Sequence, residues 1–410
     1  MRSTMRKLLL AAMIGLVTAC GTTSQGTPLP GEIDIRKLDV GPYPTEPPNA
    51  HDDDYVPAFW VMRDAAAMRL IDYIASPYDI DPRMKFGWLT SHFTAGSLTE
   101  EFGPSAVAED IARRNNLLFG VRVNGGDAAT TVPAAQWGSK AEPNSTTAAI
   151  AVTQFAATEG ARQAADEFYR AQLDAYGARN VPITIPKYPD AHAHWQPGVP
   201  FAWAMLAHGP YLVTLYLSVP TADADALTAL AQKFFDTQLP LLDRLPPVSD
   251  EGMLRLPWDP DHLVARTLNP DKIEGPSFVN GRKTFGERGV LAFAADREFV
   301  HNRLTAMDAD KFAMIDRTMV ARTANAETAR RVVADRITLT RGADAAASPP
   351  NLPGATCIEN KSINRFDPFG RRFNCLVAYR RYVGIVAADQ LLDAHQRAAA
   401  QYALFANSGD

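Results

Sequence analysis

Two stretches of this chain carry the same patterns in the same order, and that internal repeat constrains the fold more than any single motif. Ala151-Val152-Thr153-Gln154-Phe155 is an extended run, and residues 158–162 then open a helix that ends near Gly177. Met319-Val320-Ala321-Arg322-Thr323 is its echo, followed by residues 325–330, with Asn325 a natural N-cap. Glu159 matches Glu327, Ala161 matches Ala329 and Arg162 matches Arg330, all at one offset. Ala161, Ala164, Ala165 and Tyr169 make one helical stripe; Ala329, Val332, Val333 and Ile337 make the other. After each helix come a proline-containing loop, a hairpin and a closing helix. The first hairpin runs over 201–207, turns at His208-Gly209-Pro210 and returns over 211–219. Its return strand has Tyr211, Val213, Leu215, Leu217 and Val219 on one face. The second runs over 373–379, turns at Arg380-Arg381 and returns over 382–388; the closing helices cover 223–239 and 389–405. Strand, helix, hairpin, helix, twice over, predicts an α+β fold. It would hold two copies of the unit, with antiparallel sheets and helices packed on one face, in a ferredoxin-like or related layout.

Ahead of the first copy, residues 56–74 read as a helix with Val61, Ala65, Met68 and Ile71 on one side. Residues 100–115 hold a shorter helix, and 117–123 a strand closed by a turn at Asn124-Gly125-Gly126-Asp127. Residues 128–147, rich in Ala, Thr and Pro, predict an exposed excursion. Prolines at 240, 246, 247, 257 and 260 mark the boundary between copies. The resulting division is a signal peptide over 1–19, a lipidated Cys20 and tether over 20–55, and a first module over 56–245. A Pro-rich linker over 246–270 and a second module over 271–410 follow.

The N-terminus points to an address. Arg2, Arg6 and Lys7 precede an apolar run over 8–17, and Leu16-Val17-Thr18-Ala19-Cys20 fits a lipobox ending in a lipid-acceptor cysteine. The small polar residues after Cys20 suit a flexible tether. The expectation is a chain anchored to the outer face of the plasma membrane, its partner being that membrane. No other segment approaches the roughly 20 apolar residues of a membrane helix. Losing the three signal cations takes the formal charge from −5 to −8, an acidic balance that argues against nucleic acid.

Three cysteines are present, so Cys357 and Cys375 remain once Cys20 is lipidated. An even pair in an oxidising compartment predicts a disulfide, worth about 3 kcal/mol on the chain-entropy account. Metal ligation by the two thiolates is the rival reading, disfavoured by the absence of CxxC spacing and of a His nearby in sequence.

Catalytic signatures are scarce. No Gly-x-Ser-x-Gly elbow, phosphate-cradling loop, HExxH or EF-hand pattern occurs. His192-Ala193-His194 would put both imidazoles on one face of an extended segment, a two-ligand arrangement for zinc or copper, with His51-Asp52-Asp53-Asp54 as a source of oxygen ligands. Both segments sit in Pro-rich stretches, where solvated loop residues are the plainer reading. Among the aromatics, Trp137 and Trp195 lie between polar residues and are the candidates for ligand contact; Trp203 is expected inside with Phe201 and Met205. No cofactor is implied.

The lipobox, Leu38-Asp39-Val40-Gly41-Pro42-Tyr43-Pro44-Thr45-Glu46-Pro47, and Ile71-Asp72-Tyr73 leading to Asp81-Pro82 resemble a family of uncharacterised actinobacterial cell-envelope lipoproteins. The late cysteine pair and the two-copy layout fit as well. The resemblance implies location and architecture, and no reaction. The functional expectation is a non-catalytic, lipid-anchored envelope protein that binds an envelope lipid, glycolipid, glycan or protein partner. The alternatives are an envelope hydrolase with an unrecognised site and a scaffold of a membrane complex.

Overall fold

The structure, a computed structural model, describes residues 33–47, 58–98, 102–129, 144–257, 259–271, 275–278, 283–363 and 369–409. The lipobox, the His51–Asp54 segment and Trp137 lie outside them.

Two seven-stranded antiparallel sheets form the frame. The first contains β1 (Phe86–Phe93), β2 (Leu117–Gly126), β3 (Thr147–Phe155), β4 (Val181–Pro182), β5 (His192–Trp195), β6 (Phe201–His208) and β7 (Tyr211–Ser218). The second contains β8 (Lys283–Phe285), β9 (Ala309–Ile315), β10 (Thr318–Thr323), β11 (Ala343–Ala346), β12 (Thr356–Asn360), β13 (Phe373–Tyr379) and β14 (Tyr382–Ala388). The strand orders are β1-β2-β3-β7-β6-β5-β4 and β11-β12-β13-β14-β10-β9-β8. Read from β8, the second order is the first one repeated. The sequence repeat is therefore a topological repeat, and the two copies build separate sheets.

The helices of the first copy are α1 (Phe59–Ile71), α2 (Pro77–Ile80), α3 (Ser105–Arg114), α4 (Thr158–Tyr176), α5 (Ala224–Leu242) and α6 (Asp250–Leu254). Those of the second are α7 (Glu287–Ala292), α8 (Arg297–Met307), α9 (Ala326–Ala334) and α10 (Leu391–Asn407). The α+β class and the two copies stand. Helices nevertheless cover both faces of each sheet, because the central strands are apolar on both. Ala161, Ala164, Ala165 and Phe168 of α4 pack with Ala151, Phe155, Met205 and Leu212. The alternate residues Val152, Val213 and Leu215 pack with Leu227, Ala231 and Phe234 of α5. In the second copy Ala329, Val332 and Val333 of α9 meet Leu376, Val383 and Ile385, while Gly384 lies under Gln401 and Phe405 of α10. Such doubly covered strands read as nearly continuous apolar runs.

The α5 side of the first sheet and the α9 side of the second share one core with α1, α7 and α8. Arg297 and Asp72 are among the polar residues that join the copies. Arg297, at the start of α8 and fully buried, donates to the carbonyls of Leu291 at 3.1 Å and Asn124 at 2.6 Å. A Cβ on Gly87 would stand 2.9 Å from its guanidinium and one on Gly125 2.2 Å, so both glycines make room for it. Asp72, at the end of α1, accepts the N–H groups of Gly286 and Gly289 and thereby caps α7.

Two local expectations change. Residues 124–126 continue β2 instead of turning, since Gly126 pairs with both Phe86 and Thr147; the chain turns at Asp127, whose Oδ1 accepts Thr146 N–H at 2.8 Å. The His192 segment is strand β5, not a solvated loop: His192 pairs with Met205 and His194 with Trp203. Its flanking prolines stop the strand without preventing it.

Candidate functional site

Between the copies opens a cleft of about 590 Å³. One wall is α1, through Ala65, Met68, Arg69 and Asp72, together with Tyr73 and Arg244. The other is the β8–α7 corner, through Thr284, Gly286, Glu287 and Arg288, with Lys311 of β9; Leu256, Pro257, Pro260 and Asp261 close one end. The two similar units meet through α1 and α7, and the cleft lies beside that contact.

Its chemistry is mixed. Arg69 donates to Pro246 O at 2.8 Å, Arg288 pairs with Asp79 at 2.7 Å, and Lys311 stands 4.0 Å from Asp261, which also pairs with Arg322 at 3.0 Å. The Arg244 guanidinium lies 6.0 Å over the Tyr73 ring. Burial pushes the Asp72 carboxyl above the usual carboxylate range against the opposing pull of the Gly286 N–H. Since its oxygens are spent on capping α7, Asp72 is a structural acid at the cleft floor. The apolar contribution of Ala65, Met68, Leu256 and the prolines alternates with four cations and three carboxylates. Such walls suit a polar, charged ligand with a short apolar part better than an acyl chain.

The residues singled out in sequence fall elsewhere. His192 and His194 do share a face of β5, as extended backbone requires. His192 Nε2 lies 2.6 Å from Asp166 Oδ1 and its ring stacks on Tyr169, centroids 4.8 Å apart. His194 is 1% exposed and stacks on Trp203 at 5.2 Å. Neither belongs to a ligand-spaced group among the described residues. Trp195 points to the opposite face, half-buried against the shared core, and Trp203 is buried beside Phe201. Cys357 and Cys375 are bonded, with Cα atoms 4.1 Å apart. Among the described residues no helix is long and apolar enough to cross a membrane.

Sequence reasoning missed all four cations, Arg69, Arg244, Arg288 and Lys311, which carry no local signal. It quoted Asp72 and the Leu38–Pro47 segment without a role. That segment is a strap on α10. Gln396 Nε2 donates to Asp39 at 3.1 Å, Tyr43 O–H donates to Asp393, Arg397 lies 4.8 Å from the Tyr43 ring, and Asn407 donates to Thr45 O at 2.9 Å. Gly41 has φ +55°, and a Cβ there would come within 2.7 Å of Gln396.

The domain of unknown function DUF7373, N-terminal, matches residues 54–258, and its C-terminal counterpart matches residues 263–408. The chain belongs to the DUF7373 family. The two DUF7373 halves coincide with the two structural copies, and the cleft lies where they meet. The chain is also similar to a solved structure, the extracellular domain of PknH from Mycobacterium tuberculosis, at 11% identity and a TM-score of 0.28. That match covers 43% of this chain and 97% of that one. No curated protein matches this one.

Proposed function

We propose that this DUF7373 chain is a non-catalytic, lipid-anchored protein of the cell envelope that binds an envelope component in the cleft between its copies. The observation that carries the reading is the cleft itself, lined by both copies and rimmed by Arg69, Arg244, Arg288 and Lys311. Among the described residues no carboxylate pairs with Arg244. A phosphate- or carboxylate-bearing headgroup or glycan matches that rim, because a guanidinium gives an anion directed, charge-assisted hydrogen bonds. Supporting the address are the lipobox at Cys20 and the Cys357–Cys375 disulfide, which suits an oxidising compartment.

Native mass spectrometry on residues 21–410 purified from an actinobacterial host tests the ligand. A co-purifying anionic glycolipid or glycan, depleted in Arg244→Glu, supports the reading; an apo mass from both proteins defeats it. The anchor is tested separately, since Cys20→Ala should move the protein out of the membrane fraction. If that variant stays there, the anchoring reading fails.

A further inference from the structure

Three side chains of the second copy converge at one point beneath α10. Cys357 on β12 and Cys375 on β13 are direct cross-strand partners, and both are fully buried. Along β13, Val377 lies beside Gly384 under α10 and Tyr379 meets the Tyr402 ring of that helix. Cys375 has the same parity and faces α10 too. There His395 completes a group: one sulfur from each cysteine and a ring nitrogen of His395 all lie within 4.8 Å of one another. His395 Nε2 sits 2.7 Å from the carbonyl oxygen of Ala347. A carbonyl only accepts, so Nε2 holds the proton and Nδ1 the lone pair. A histidine whose second nitrogen donates to a backbone carbonyl is oriented in the way that metal-binding histidines are.

The geometry points to a second use of these residues: when the disulfide is reduced, Cys357, Cys375 and His395 form a binding site for a thiophilic divalent cation, zinc above all. A dithiol reductant passes two electrons and two protons to the S–S bond, which gives two thiols and leaves the reductant as its own disulfide. Zn²⁺ then displaces both thiol protons into solvent and bonds the two thiolates and the imidazole. Two thiolates cancel the ion's charge, so the completed site is neutral, and a neutral site is what the buried layer between sheet and helix tolerates. Calcium and magnesium prefer oxygen ligands, whereas the group itself supplies two sulfurs and a nitrogen. Zn–S bonds of about 2.3 Å set tetrahedral sulfurs roughly 3.8 Å apart, inside the span the three ligand atoms already occupy. His395 is only partly buried, so water reaches the fourth position. Oxidised sulfurs carry no charge to offer, and the redox state therefore selects between a covalent staple and a metal site.

Residues 21–410, which contain every described residue and exclude Cys20, are reduced under anaerobic conditions and titrated with Co²⁺. A thiolate-to-cobalt charge-transfer band that saturates at one equivalent, is displaced by Zn²⁺ and is missing from the oxidised protein supports the site. His395→Ala should bind roughly tenfold more weakly or worse. No such band in the reduced protein, or equal binding by His395→Ala, overturns it. If reduction loosens the fold, the thermal melt decides. Zn²⁺ should then raise the Tm of the reduced protein and leave that of Cys357→Ser unchanged, and no rise in the former overturns the proposal.

Discussion

At the residue scale, the costliest groups are polar ones placed inside. His194 has neither ring nitrogen hydrogen-bonded among the described residues, and burial pushes its pKa from 6.5 down to about 4. The folded state thus prefers the neutral ring. This contribution to stability is full above pH 6.5 and is lost as pH falls from there through 4, reaching roughly 3 kcal/mol at the acid end. His194→Phe keeps a ring against Trp203 and removes the titration. Its Tm should lose less than that of the wild type between pH 7 and 4.5, and parallel profiles would refute the assignment. Gly125 illustrates the opposite constraint, absence of a side chain. With a Cβ only 2.2 Å from Arg297 Nη1, Gly125→Ala must displace a buried guanidinium and should cost about 1–3 kcal/mol in urea unfolding.

At the element scale, the closing helices of both copies use one device. Gln238 of α5 accepts Ala75 N–H and donates to Tyr73 O, each at 2.8 Å. Gln401 of α10 accepts Leu268 N–H at 2.8 Å and donates to Arg266 O at 2.7 Å. Both amides are wholly buried, and each satisfies the backbone of a segment that precedes its copy's sheet. Gln401→Leu would leave one donor and one acceptor unpaired. It should destabilise the chain by about 2–4 kcal/mol, whereas Gln396→Leu on the same helix, which touches the strap, should cost under about 1 kcal/mol. Equal losses in urea melts would contradict this account. These glutamines read in sequence as ordinary helix residues. The central strands and closing helices were legible because their apolar spacing is local. Strands β1, β4, β5, β8, β9, β11 and β12 were not: each lies at a sheet margin or next to one, where a strand leans on its neighbour's hydrogen bonds more than on its own composition.

At the scale of the whole molecule, the shared core makes the copies interdependent. Phe234 and Val213 of the first copy belong to the same apolar cluster as Val332 and Ile385 of the second, and Arg297 and Asp72 cross the boundary. Calorimetry should therefore show one transition for residues 35–410, with calorimetric and van't Hoff enthalpies in agreement. Two resolved transitions would mean that the copies fold as independent domains. What the amino-acid order determined by itself was periodic or covalent: the α+β class, the doubling of the unit, the hairpins, the lipobox pattern and the pairing of Cys357 with Cys375. Apolar period and cysteine count act locally or by elimination, so one chain suffices to read them. Tertiary structure alone decided that helices cover both faces, that His194 is buried, that His395 meets the cysteines and that four cations from distant segments rim one cleft. Each of these depends on which surfaces two similar units bury against each other, and residues brought together across 200 positions leave no spacing in the sequence to read.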